Sequence, residues 1–318
     1  MKHKFSLILA IAAFAAFLSP LPILAAPILG DDLASFTVLG ASTVTNVPTS
    51  TIVGNVGVWS SGGANAITGF NSAPGVATSD PQVTGGNVHA GTTLAQSAQG
   101  QLTAARTNLS SMGAGTLLAA DLTGLVINPG VYTVPAGTTN LSGTLTLDGL
   151  GNANAGWVFQ MESTLITSPN SVINVINTGD GAGLFWNVGS SATIDVNTTF
   201  LGNILASESI TINTLSTNLC GRALADNGAV TLDQNSLSGI CSGILSGSDG
   251  LNRGLDVTTT PEGDMVVTFL PFEVIGNGGN GGNGGPLPVP EPSTFALLSF
   301  GILGGGLLRL KKRWNLKK

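Results

Sequence analysis

The sequence predicts a mostly β protein, a right-handed β-solenoid (β-helix) with one long α-helix packed along its side. Three observations predict it. A nineteen-residue echo runs between Gly183 and Gly239, where Gly202-Asn203-Ile204-Leu205-Ala206 returns as Gly221-Arg222-Ala223-Leu224-Ala225. The triplets Ala192-Thr193-Ile194, Ile210-Thr211-Ile212 and Val230-Thr231-Leu232 recur at spacings of eighteen and twenty. A period near twenty, carried by short alternating runs, marks coils stacked on one another. Finally, one segment changes from period two to the period of a helix.

In chain order, residues 1–26 read as a secretory signal. Lys2 and Lys4 precede an apolar run from Phe5 to Leu18, and Ala25-Ala26 supplies small residues for cleavage. Residues 27–275 form the solenoid domain. Short alternating runs such as Phe36-Thr37-Val38-Leu39 and Thr51-Ile52-Val53, separated by Gly, Asn and Pro, read as strands and turns. Val88, Gly91, Ala95, Ala98, Leu102, Ala105, Leu109 and Met112 then follow helical spacing, predicting a helix over about 83–112 that Gly113 ends. Its length matches several coils stacked at about 4.8 Å, so it would lie along one face.

From Leu122 to Phe272 the period returns to two. Leu145 and Leu147 oppose Thr144, Thr146 and Asp148. Ile194 and Val196 are expected inward, with Thr193, Asp195, Asn197, Thr211 and Asn213 outward. Residues 276–289 are a Gly/Asn/Pro-rich linker. Residues 290–318 combine Pro290-Glu291-Pro292, an apolar stretch from Thr294 to Leu308 and a basic end. The apolar stretch is short for a transmembrane helix, and its basic flank would remain cytoplasmic.

Charge narrows the partners. Residues 27–290 hold three arginines (Arg106, Arg222, Arg253) against sixteen carboxylates, a net charge of −13. Such a body is repelled by phosphate backbones, so no nucleic-acid partner is expected. Cys220 and Cys241, the two cysteines, are about one coil apart. In an exported protein a disulfide between them is expected, worth about 3 kcal/mol; two buried free thiols are the other reading.

Little points to catalysis. Outside the signal segment the only histidine is His89, placed on the predicted helix, and no G-x-S-x-G elbow accompanies it. There is no Cys/His cluster for zinc and no phosphate-cradling glycine loop. Asp249 to Asp256 lacks the ligand order of a known calcium loop. Asp195 and Asp233 fall at corresponding corners two coils apart, with Thr214 between them, a separation of about 10 Å that slightly exceeds the inverting-glycosidase range. No enzyme, cofactor or metal is expected.

What remains is an array of hydroxyls. Thr164, Thr193, Thr211 and Thr231 form a ladder, flanked by the corner runs Thr167-Ser168-Pro169-Asn170, Asp195-Val196-Asn197-Thr198, Thr214-Leu215-Ser216-Thr217 and Asp233-Gln234-Asn235-Ser236. Thr and Asn are favoured in strands and turns in any case.

Over residues 30–243 the sequence resembles the microbial ice-binding-protein family, a discontinuous β-solenoid with a flanking helix. The marks are Ala41-Ser42-Thr43-Val44-Thr45-Asn46, Gly54-Asn55-Val56-Gly57-Val58, Ile67-Thr68-Gly69-Phe70, Gly130-Val131-Tyr132, Trp157-Val158-Phe159-Gln160, and the block from Trp186-Asn187-Val188-Gly189-Ser190 to Gly228-Ala229-Val230-Thr231-Leu232. The resemblance implies adsorption of one flat solenoid face to an ice crystal surface, without an enzymatic reaction. Thr164, Thr167, Asn170, Thr193, Thr198, Thr211, Thr214, Thr217 and Thr231 are the residues expected to bind. The motif linked to that face in part of the family is Thr, a small residue, any residue, then Thr or Asn. Here Leu215 occupies the small position, and Asp195 and Asp233 replace the leading Thr, so modest activity is expected. Whether the corners or the adjacent ladder binds stays open. The tail resembles the PEP-CTERM signal read by exosortases of Gram-negative bacteria. It implies transient membrane anchoring through the C-terminal helix, then release at the cell surface or into the extracellular matrix. A structural or adhesive matrix protein that binds extracellular polysaccharide is the competing reading.

Overall fold

The computed structural model describes residues 26–60, 66–260 and 263–275. The signal segment up to residue 25, the linker and the sorting signal with its expected apolar helix lie outside them. Among the described residues no helix is long and apolar enough to cross a membrane. The fold is mostly β, and each full coil gives one strand to each of three parallel stacks.

The first stack runs through Gly130–Val134, Gly156–Met161, Gly183–Val188, Thr199–Ala206 and Thr217–Ala225. The second, the threonine stack, runs through Leu165–Ile166, Ala192–Ile194, Ile210–Ile212 and Val230–Asp233. The third passes through Thr144–Asn152, Val172–Thr178, the leading residues of Thr199–Ala206 and Thr217–Ala225, and Ser236–Ser238. The predicted echo is literal register: Gly202 to Ala206 faces Gly221 to Ala225, apart from the local shift just before Gly202.

Chain order then breaks. The strand after Thr217–Ala225 in the first stack is Phe36–Gly40, followed by Asn55–Val58 and Val88–Ala90. Thr43–Val47 likewise follows Val230–Asp233, and Thr51–Val53 follows Ser236–Ser238. The first coils of the chain therefore stack on its last. This seam is closed by backbone bonds such as Ala41 N–H to Gly228 O (2.9 Å) and by side chains. Arg222, fully buried, donates to Ala34 O (2.7 Å), Asn203 Oδ1 (3.0 Å), Asp249 O (3.1 Å) and Asp249 Oδ1 (2.6 Å). Burial pushes the pKa of this guanidinium down, and the Asp249 carboxylate opposes that shift.

Among the described residues there are two helices of α type, a short α1 (Asp31–Ala34) and a long α2 (Thr93–Ser111). Periodicity predicts a start near residue 83, but Val83–Thr84 and Val88–Ala90 are strands. Val83–Thr84 and Val88–Ala90 pair with Thr51–Val53 and Asn55–Val58. Gly91 adopts a positive φ of 68°, and Thr92 caps the helix by accepting from Ala95 N–H (3.2 Å). The small apolar residues at 88 and 91 belong to a strand and its turn, which happen to fall in phase with the helix. At 19 residues α2 is about 28 Å long. It carries the chain from the Val88–Ala90 end of the first stack back to the opposite end at Thr116–Leu117. Its inner face (Ala95, Ala98, Leu102, Ala105, Leu109) packs on Phe36, Leu39, Phe185, Leu205 and Leu224.

Inside the coils the core is aromatic as well as aliphatic. Tyr132, Phe159 and Trp186 occupy one register row, and the rings of Phe159 and Trp186 stack 4.2 Å apart at 9°. Cys220 and Cys241 form the expected disulfide. His89 is on a strand and not on the helix. It is buried, with Nδ1 3.2 Å from Thr92 Oγ1 and its ring edge-on to Phe36.

Two predictions follow from the seam and from His89. Arg222→Met leaves several buried acceptors unmet and should cost about 3–5 kcal/mol, read as a fall in urea midpoint at constant m-value. Burial holds the His89 imidazole below its ordinary 6.5. The unfolded chain then binds the extra proton first, so stability is full above about 6.5 and is lost as pH falls below it. Urea midpoints at pH 7.5 and 5.5 should differ in that sense, and His89→Asn should reduce the difference.

Candidate functional site

The threonine stack carries the clearest surface array. Thr193 faces Thr211, Thr211 faces Thr231, Thr231 faces Thr45 and Thr45 faces Thr68. Five threonines thus stand in one unbroken row, about 4.8 Å from one to the next. Their flanking residues Ile194, Ile212 and Leu232 are buried in the core, which is what turns each Thr outward. Thr164 is not in this row. Register places it in the neighbouring row, two residues along the strand, with Ser191, Ser209, Ala229, Thr43 and Ala66. Both rows are free of charge.

The row beyond them, Asp195, Asn213, Asp233 and Val47, brings the first carboxylates. In register the residue between the two aspartates is Asn213 and not Thr214. Asn213 donates to Asp195 Oδ1 (3.0 Å) and the Thr214 hydroxyl donates to Asp233. The two carboxylates are thus tied down by their own neighbours.

The corner runs do not line up as spacing suggests. Asn170, Asn197, Leu215 and Gln234 all have positive φ, from 52° to 62°. They are the equivalent corner residues, each turning the chain from the threonine stack into the third stack. The residue after each turns inward: Ser171, Thr198, Ser216 and Asn235 are at most 1% exposed. Their side chains satisfy corner backbone groups, as with Ser216 Oγ accepting from Thr198 N–H (3.1 Å) and Asn235 Nδ2 donating to Asn213 O (2.8 Å).

Thr198 is therefore structural. So is Thr167, 1% exposed, whose Oγ1 accepts from Asp195 N–H (2.8 Å) and lies 3.3 Å from Thr198 Oγ1. Val196, expected inward, is exposed because the left-handed Asn197 ends the strand alternation. Asn170 is exposed and accepts from Asn197 Nδ2 (2.7 Å). Thr217 belongs to the third stack, where it pairs with Thr199 and Ser236, and Ser236 with Thr51.

Sequence reasoning brought together Thr193, Thr211 and Thr231 but missed Thr45 and Thr68. The signal existed in Val44-Thr45 and Ile67-Thr68, which repeat the apolar-Thr step of Ile210-Thr211. What hid it is separation, since Thr45 and Thr231 are neighbours only across the seam.

Comparison with known proteins agrees with this geometry. The Ice-binding-like family model matches residues 38–238, the span from the strand that closes the seam to the last strand of the coil it closes on. A PEP-CTERM protein-sorting motif matches residues 288–313, which implies secretion and surface export in bacteria. The ice-binding protein of Nostoc sp. (strain HG1) is 42% identical over 242 residues, 76% of this chain and 84% of that protein. A crystal structure of an ice-binding protein from the Antarctic ascomycete Antarctomyces psychrotrophicus superposes with a TM-score of 0.55 at 30% identity, covering 65% of this chain and 96% of that one. An ice-binding protein from an Antarctic biological consortium gives a TM-score of 0.56 at 30% identity, covering 69% and 95%. With stacked parallel coils, a helix along their side and a family match over most of the described coils, this chain belongs to the ice-binding-like family.

Proposed function

We propose that this protein adsorbs to ice through the threonine stack, with Thr193, Thr211, Thr231, Thr45 and Thr68 as the central row and Thr164, Ser191, Ser209 and Thr43 beside it. The single observation that carries this reading is a five-residue, in-register, uncharged threonine row on short strands. Each Thr offers a methyl and a hydroxyl at a fixed spacing, so water ordered on the face can continue a crystal lattice. A charge would hold its own hydration shell instead, and the nearest carboxylates stand one row away. The protein acts by binding and not by catalysis.

The coil is right-handed in this reading, and residues 27–275 are the unit that meets ice. The tail routes it through exosortase, with the apolar segment transiently in the membrane, to the surface or matrix of a Gram-negative cell. Asn170, Thr214 and Thr217 border the face without forming it.

Ice recrystallisation and crystal shape test the assignment. Thr211→Tyr puts a ring in the centre of the row and should cut activity tenfold or more, while Thr217→Tyr on the third stack leaves it intact. The reverse pattern moves the site to the third stack, and unshaped crystals with the wild type sink the ice reading. Thr167→Val should lower stability by about 1–3 kcal/mol, because Asp195 N–H loses its acceptor, with ice activity unchanged at equal folded protein.

A further inference from the structure

A pocket of about 420 Å³ opens where α2 meets the rim of the coils, at the Ala41-Ser42 turn that leads into the threonine stack. Its size lies within the roughly 300–1,000 Å³ of small-molecule sites. Trp59, Gln96, Gln99, Gly100, Asp226 and Asn227 line it. From these the geometry points to a second binding site on this protein, one that takes a neutral sugar unit.

Three features carry the inference. Gln99 is buried, and its Nε2 donates to Ala225 O (3.2 Å) and Asp226 O (2.8 Å). Two carbonyls at the nitrogen fix the orientation of the amide, which leaves Oε1 buried without a donor. That oxygen has almost no surface of its own open to the pocket, so the amide serves as a fixed wall and not as a ligand contact.

Gly100 is the second feature. It lies inside α2, where glycine is the worst choice after proline, yet nothing lies within 4 Å of the position its Cβ would take. Packing does not require glycine there. The missing side chain keeps the pocket wall open.

The third is Trp59, half-buried, with part of its ring packed on the core beneath α2. A pyranose brings both an apolar C–H face for an indole and hydroxyls for the amides of Gln96 and Asn227. Electrostatics select a neutral ligand. Both oxygens of Asp226 are engaged, by the Thr103 hydroxyl (2.7 Å) and by Arg106 (2.8 Å), so no carboxylate is left for a cation. The acidic body disfavours an anion.

The site is tested by calorimetry on the full chain in detergent, with D-glucose, D-galactose, D-mannose, dextran and galactomannan as probes. At least one binds saturably, and Gly100→Leu, which fills the pocket while improving helix propensity, weakens it tenfold or more without lowering the Tm. Gln96→Ala weakens the same probe. Binding of the free hexose identifies a soluble sugar as the ligand, and binding of the polymers alone identifies a matrix polysaccharide. If none of the five binds saturably, or if Gly100→Leu binds like the wild type, the proposal is overturned. Ice activity is unaltered in Gly100→Leu, so the two sites fail or stand separately.

Discussion

Everything in this molecule depends on one pairing, that of the chain's first coil with its last. Phe36–Gly40 lies beside Thr217–Ala225 and Thr43–Val47 beside Val230–Asp233, contacts close to 190 residues apart in sequence. Closing so long a loop is entropically costly, and short parallel strands recover little by themselves. Hence the interactions gathered at the seam. Arg222 reaches Ala34, Asn235 N–H reaches Ser50 Oγ (3.0 Å), and Gly239 N–H reaches Thr37 Oγ1 (3.2 Å). The Cys220–Cys241 disulfide joins the last coil on its own side of that joint.

The seam also sets the size of the binding face. Without it the threonine row would stop at Thr231, three residues long. With it Thr45 and Thr68 extend the row to five. A surface that works by matching a lattice gains from every added rung, because the ordered water is shared between neighbours. The joint that stabilises the fold is therefore also the joint that completes the site, while α2 runs along the first stack and packs on its strands.

Much of this was legible in the residues. The echo at Gly202 and Gly221 and the three Thr triplets reported register directly, since parallel coils put identical positions side by side. The disulfide followed from one-coil spacing. Other features depended on geometry that spacing does not encode. The corner runs at 195 and 214 are nineteen apart, whereas the strands on either side of them pair at eighteen, Thr193 with Thr211 and Thr199 with Thr217. That one-residue slip exchanges inside for outside, and it turned Thr198, a buried hydrogen-bonding residue, into an apparent surface threonine. Likewise Val88, Gly91 and Ala95 fit helical spacing although a strand, a left-handed glycine and a capping threonine separate them. Thr45 and Thr68 carried the right local pattern and the wrong sequence distance.

The corners show how an acidic chain keeps its threonine face free of charge. Each coil must bend between the threonine stack and the third stack, and each bend frees backbone groups that need partners. Water could satisfy them, but bound water at the margin would compete with the order imposed by the threonine rows. Instead Ser171, Thr198, Ser216 and Asn235 turn inward and satisfy the bends from within. Asp195 and Asp233 are similarly held by Asn213 and Thr214. The polar residues that resembled a binding motif thus serve the face indirectly, by leaving its rim with few unmet groups and its outward rows with little besides methyls and hydroxyls.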